Sequence, residues 1–309
     1  MPEFPHPGSD GRRTRPLDCR HGRVLIHMLE HGGSPYLVWD PVTGDRHWLP
    51  PEPEEIEWLV YSAVVLCATD GCDHLDCHGG PFRVVFAATH DYNDTILASV
   101  YSSETGVWSV PVCLDKTCES FAQHMLQMER ATYCYTPYLQ PKRGTLVGDA
   151  VYFTVSGSNA IVKYDLGKDR LSMIDQPQLH LYNNALMAME DSNSLGFAYI
   201  QGSSIYLCSR KVDTEDAAEW VQYRVLELEK IIPFAHPNDK PFVVGFAEGV
   251  GVLFVSSGVG LFTIKLSSGQ VKMVDEPDVY YSVLPYMSFY LPKIGNGGGH
   301  DATDLPQSA

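Results

Sequence analysis

Leu37-Val-Trp-Asp-Pro-Val-Thr-Gly44, leading to Trp48-Leu49-Pro50, is a strand that ends in an acidic residue, turns at a glycine and returns as a second β-rich run. The same phrase comes back as Ser99-Val-Tyr-Ser-Ser-Glu-Thr-Gly106 before Trp108-Ser-Val, and as Ile161-Val-Lys-Tyr-Asp-Leu-Gly167 before Leu171-Ser-Met-Ile. A fourth copy is Leu261-Phe-Thr-Ile-Lys-Leu-Ser-Ser-Gly269 before Val271-Lys-Met-Val. Apolar alternation specifies strands, and a short acceptor side chain followed by glycine specifies the tight turn between them. Gly44, Gly106 and Gly167 are spaced by 62 and 61 residues, and Gly269 follows 102 further on. Trp220–Leu228, between the last two, reads as a degenerate copy without the glycine turn. Each such sheet leaves an apolar face that a neighbour must cover, so the array closes on itself. The expected fold is all-β: a β-propeller-like array of antiparallel four-stranded sheets, about six blades in one domain. That domain is expected over residues 18–292, between a disordered leader at 1–17 and a Gly-rich disordered tail at 293–309.

Outward from these hairpins, Tyr61–Ala68 is a nearly continuous apolar run, as in a strand buried on both faces. Pro50, Pro51 and Pro53 interrupt pairing, and Glu52, Glu54, Glu55 and Glu57 make an acidic surface loop. Phe121–Arg130 carries enough helical periodicity for one or two turns. Cys19–Met28 is expected to complete the final sheet by pairing near Tyr286–Tyr290, hiding edges that would otherwise invite aggregation.

The composition narrows the function. Formal net charge is −16, which repels phosphate backbones and anionic lipid, so neither nucleic acid nor membrane is expected as a partner. Arg12, Arg13, Arg15, Arg20 and Arg23 form a basic cluster near the start, read as a solvated leader. Phe242–Val255 is the most apolar stretch, too short to span a bilayer and interrupted by Glu248. With irregularly spaced cysteines and no apolar signal segment at the start, the chain is expected in cytosol or nucleus with its thiols mostly reduced.

Chemistry-bearing motifs are sparse. Cys67, Cys72 and Cys77 with His74 and His78 lie within twelve residues, but as C-x4-C-x4-C-H rather than the paired spacing of a zinc knuckle. An exposed polar loop is the preferred reading, with metal binding by Cys67, Cys72, Cys77 and His78 left open. Cys113 and Cys118 are read the same way. Nucleophile elbow, metalloprotease, P-loop and dinucleotide signatures are missing, and Gly295–Gly299 does not join a strand to a helix. Asp40, Asp149 and Asp165 are expected to serve turns, and the tryptophans to fill blade cores. No catalytic residue, cofactor site or metal site is therefore assigned.

Seven phrases carry a resemblance. They are Leu17-Asp-Cys-Arg-His-Gly-Arg-Val-Leu25, Val38-Trp-Asp-Pro-Val-Thr-Gly44, Asp76-Cys-His-Gly-Gly-Pro-Phe82 and Val100-Tyr-Ser-Ser-Glu-Thr-Gly106. Leu146-Val-Gly-Asp-Ala-Val-Tyr-Phe153, Lys163-Tyr-Asp-Leu-Gly167 and Pro285-Tyr-Met-Ser-Phe-Tyr290 complete the set. In this order they resemble the F-box-associated region of plant, especially grass, F-box proteins, over about residues 17 to 292. The resemblance implies a propeller-like, non-catalytic domain that recruits a protein substrate for ubiquitination. The family's helical F-box, which docks on the ligase adaptor, has no counterpart before Leu17, so adaptor docking is not expected. Thr69–Pro81 and Pro50–Glu57 are the expected variable rim surfaces. Two other readings stand beside this one: a propeller enzyme with a central-channel site, and a truncated product without a role.

Overall fold

The computed structural model describes residues 14–28, 35–51, 58–72, 79–90, 95–114, 117–130, 138–156, 160–177, 184–189, 194–214, 217–236, 238–280 and 282–286. Among them the strands make five antiparallel sheets, each from consecutive strands. The first runs β1 (Thr14–Arg20), β2 (Arg23–Met28), β3 (Tyr36–Trp39), β4 (Arg46–Leu49). The second runs β5 (Trp58–Cys67), β6 (Phe82–His90), β7 (Ile96–Ser102), β8 (Val107–Trp108), with β9 (Val112–Leu114) also on β7. The third holds β10 (Tyr138–Leu139) and β11 (Thr145–Val147), both on β12 (Ala150–Ser156), then β13 (Ala160–Asp165) and β14 (Arg170–Asp175). The fourth is β15 (Asn184–Ala188), β16 (Leu195–Gln201), β17 (Ser204–Thr214), β18 (Ala217–Glu227). The fifth is β19 (Phe242–Ala247), β20 (Val252–Ser257), β21 (Gly260–Lys265), β22 (Val271–Asp275).

The recurring phrase is the hairpin that joins the third strand of a sheet to the fourth. Its chemistry is local. The Asp40 carboxylate accepts from the amides of Val42 at 2.8 Å and Thr43 at 3.2 Å, and Gly44 turns the chain at φ 81°. In the third sheet the left-handed residue is Asp169 at φ 46° rather than Gly167, and the Tyr164 hydroxyl donates to the Asp169 carboxylate.

Apolar clusters lie between successive sheets. Leu25, Val38 and Tyr36 meet Val65, Phe86 and Tyr101 between the first two. Val64, Val85 and Ile96 meet Phe153, Val162 and Tyr164 between the next two, capped by Phe121 and Met125 of the helix α1 (Glu119–Arg130). That helix is longer than the one or two turns expected. Tyr152 and Ile161 meet Phe197 and Tyr199, and Ile205 and Leu207 meet Leu253 and Val255. The first strands of the sheets pack side by side, β1 on β5 and β11 on β15, with β15 on β19. They therefore surround a common axis, and the architecture is a β-propeller.

Three expectations are corrected. Among the described residues the sheets number five rather than about six; residues 276–280 and 282–286 form an irregular strap without a strand. Cys19–Met28 belongs to the first sheet with its own partners, not to the last; residues 287–290 lie outside the described set. The first strand already begins at Thr14, within the stretch expected as a disordered leader, whose residues 1–13 are not described; nor is the tail.

The strap closes the ring between the fifth and first sheets. The Val283 amide donates to the Val244 carbonyl of β19 at 2.7 Å. Beyond it, Leu284 and Tyr286 pack on Cys19, Val24, Ile26 and Trp39 of the first sheet. The Tyr286 hydroxyl reaches the Gly22 carbonyl at 3.4 Å. Gly245 permits this approach: a Cβ there would sit 2.6 Å from the Val283 carbonyl oxygen.

Candidate functional site

Charged side chains meet at the axis, where the inner strands converge. Asp18 and Arg20 come from β1, Glu248 follows β19, and Arg143 lies between β10 and β11. Asp18 is fully buried; its carboxylate accepts from Arg143 Nε at 2.7 Å, Arg20 Nη1 at 2.9 Å and the Val65 amide at 2.9 Å. Arg20 reaches Glu248 through Nε at 3.1 Å and Nη2 at 3.0 Å, and the Gly144 carbonyl at 3.1 Å. Arg143 donates to the Cys19 carbonyl at 2.9 Å and the Phe246 carbonyl at 3.3 Å. Two guanidiniums thus answer two carboxylates, and the group ties the first, second, third and fifth sheets together.

The electrostatics follow from burial. Burial opposes the Arg143 charge, but Glu248 and Asp18 outweigh it and hold its pKa above the ordinary arginine range. Burial, then the Asp18 charge, pushes the Cys19 thiol up to about 12, so it stays protonated. Burial pulls neighbouring Lys142 down to about 8. Its ammonium donates to the Asn184 carbonyl of β15 at 2.9 Å, while its own carbonyl accepts from Ser62 Oγ at 2.7 Å. Pro141–Gly144 therefore lies across the axis as a plug.

On one side of the plug a cleft of about 790 Å³ opens between the first sheet and the strap. Leu17, Val24, Trp39 and Leu284 give it apolar walls, and Arg15, Lys142 and Arg143 line it as cations. No described Asp or Glu lines it. Arg15 lies over the Tyr61 ring at 4.8 Å. An apolar chamber of this size, with a few cations and no described acid, is within the range of small-ligand pockets.

A family model described as F-box protein AT5G49610-like, beta-propeller matches residues 16–293. The chain belongs to this F-box protein propeller family. No curated protein matches it. Among solved structures it is similar to the extracellular domain of the one component system BT4673 from B. thetaiotaomicron, at 14% identity and a TM-score of 0.41. That likeness covers 87% of this chain, which spans only 28% of the BT4673 chain. A protein from Lactobacillus plantarum shares 11% identity at a TM-score of 0.46, covering 85% of this chain and 70% of that one. TolB from Acinetobacter baumannii shares 14% at 0.41, covering 87% and 56%.

In this F-box-type propeller the residues singled out from sequence have separate fates. Arg20 and Arg23 are buried in paired strands, not solvated with a leader; the Asp18 and Glu248 carboxylates account for Arg20. Cys67 ends β5, where its amide donates to His21 Nδ1 at 3.2 Å, and Cys72 is partly exposed. Cys77, His74 and His78 lie outside the described residues, as do residues 73–78 of Thr69–Pro81 and 52–57 of Pro50–Glu57. Asp40 and Asp165 do cap turns. Trp39 is core, whereas Trp108 and Trp220 tie neighbouring sheets through Nε1 to the Pro50 carbonyl at 2.9 Å and the Asp175 carbonyl at 2.8 Å. Asp18, Lys142 and Arg143 had no local signal. Only Glu248 carried a hint, as the acid interrupting an apolar run.

Proposed function

We propose that this propeller is the partner-recognising part of a ubiquitin-ligase receptor, holding a protein substrate without transforming it. Family membership supports the interaction role. One observation carries the reading further: the axial carboxylates are already answered by guanidiniums, while the adjoining cleft has apolar walls and, among the described residues, no acid. A catalytic channel needs acids or nucleophiles turned toward a bound molecule. Here Asp18 and Glu248 are turned toward Arg20 and Arg143. The proposed setting is cytosol or nucleus. Among the described residues no helix is long and apolar enough to cross a membrane.

The test is capture of partners by the full chain from cells of its source, beside variants Val279→Asp and Tyr280→Ala at the cleft mouth. The same chain fused to an adaptor-binding helical module is then assayed for ubiquitin transfer to the captured protein. Recovery that falls with the cleft variants, and transfer that follows recovery, is the expected result. Capture of no specific protein, or a captured protein chemically altered by the chain alone, contradicts the reading.

A further inference from the structure

Four of the five seams between sheets are closed by apolar side chains from both sheets. The seam between the last sheet and the first is different. Among the described residues its apolar cluster joins first-sheet residues such as Val24, Ile26 and Trp39 to Leu284 and Tyr286 of the strap, and no side chain of the fifth sheet takes part. The strap alone underfills this seam. The cleft of about 790 Å³ opens there, Val279 at its rim is 69% exposed, and Phe242 at the start of β19 is 44% exposed in the adjoining cavity. Packed interiors hold few voids larger than a water molecule, so an apolar gap of this size between two sheets is a place for further side chains.

The cations of the cleft ask for no counter-ion. Arg143 is committed to Asp18 and Glu248, and Arg15 lies over the Tyr61 ring. The Lys142 ammonium donates to Asn184, which lines the small adjoining cavity and not the cleft. An uncharged, apolar occupant therefore suits the cleft best.

The chain itself supplies one. Tyr286 lines the cleft and is the last described residue. The next six residues are Met287-Ser-Phe-Tyr-Leu-Pro292, with no charge before Lys293. The family match runs on to residue 293, so these residues belong to the propeller domain and not to the Gly-rich stretch behind it. Six extended residues span up to about 20 Å. A cube of the cleft's volume has an edge of about 9 Å, so a segment starting at Tyr286 reaches every wall. So short a tether gives the segment a millimolar effective concentration at the cleft.

We propose that residues 287–292 turn back from Tyr286 into the cleft, where Met287, Phe289 and Leu291 pack against Leu17, Val24 and Trp39, so that the chain caps its own seam. The cap itself does not depend on the receptor reading. Joined to that reading it is a gate: an apolar segment of the protein substrate enters the cleft by displacing the cap, and its affinity is reduced by the fraction of receptor that is open.

The full chain is made with p-benzoylphenylalanine in place of Phe289, irradiated at low concentration, digested and mapped by mass spectrometry. A chain carrying the same group in place of Val279 is treated alongside. The expected crosslinks join position 289 to residues 15–41 or 279–284 of the same molecule. Crosslinks to other sheets, crosslinks only between two copies, or none while position 279 reacts, overturn the proposal. A second measurement uses Phe289→Asp combined with Leu291→Asp in the full chain. Charging the cap should open the cleft and raise the fluorescence of bound anilinonaphthalene sulfonate at least about threefold, while urea unfolding stays cooperative. Unchanged dye binding contradicts the cap. Recovery of the protein partner should rise with the same two substitutions. Recovery unchanged, with crosslinks in the cleft, leaves the cap in place and overturns the gate. Partner capture by a chain whose crosslinks miss the cleft removes the cap and leaves the receptor reading standing.

Discussion

At the residue scale, small groups set large constraints. Gly245 has room for a hydrogen and nothing more, because the Val283 carbonyl would meet a Cβ at 2.6 Å. Gly245→Ala must push the strap off β19 and is expected to cost about 1–3 kcal/mol, read as a lower urea midpoint with unchanged slope. His27 gives a pH signature. Burial, reinforced by the Arg15 charge, lowers its pKa from 6.5 to about 4, and its Nδ1 meets the Tyr61 hydroxyl. Between those values the unfolded chain binds a proton that the folded chain refuses. Stability is therefore whole above pH 6.5 and is lost as pH falls toward 4. The span corresponds to about 3 kcal/mol, reduced to about 1–2 by the ring's partial exposure. Urea unfolding at a series of pH values should show this slope, and His27→Gln should flatten it by that amount.

At the element scale, hairpins were legible and closures were not. The Asp40–Gly44 turn is written in adjacent residues, since its acceptor and its left-handed residue are four apart. So the repeated phrase located the third and fourth strands of four sheets, and the half-exposed Trp220 run fell in β18 of the remaining one. Arg20 reads locally as one more arginine of a basic cluster, because its partner Glu248 is 228 residues away. The strap was equally hidden: Tyr286–Tyr290 reads as a last strand, whereas Tyr286 packs together with Leu284 against the first sheet. This makes a prediction for the element. Leu284→Ala combined with Tyr286→Ala should cost about 2–4 kcal/mol. Hydrogen exchange should speed up in β1, β2 and β19 while β12 and β13 keep their protection. Uniform acceleration over all five sheets would mean that the strap is not a local closure.

At the scale of the whole molecule, a ring built only from consecutive strands has a seam where its ends meet. Here the seam lies between β19 and β1, held by the strap outside and by Arg20, Glu248, Asp18 and Arg143 inside. Buried ion groups seldom add net stability over apolar packing, but a single lost partner strands a charge and costs several kcal/mol. The cluster therefore acts as a specificity device: only the closed ring supplies all four members. The most direct measurement is a double-mutant cycle in urea unfolding, with Arg20→Met, Glu248→Gln and the pair together. The closed ring predicts that each single change costs about 2–4 kcal/mol and that the double change costs clearly less than their sum, a coupling of about 1–3 kcal/mol. Additive costs would contradict it, because the two residues would then not meet across the seam.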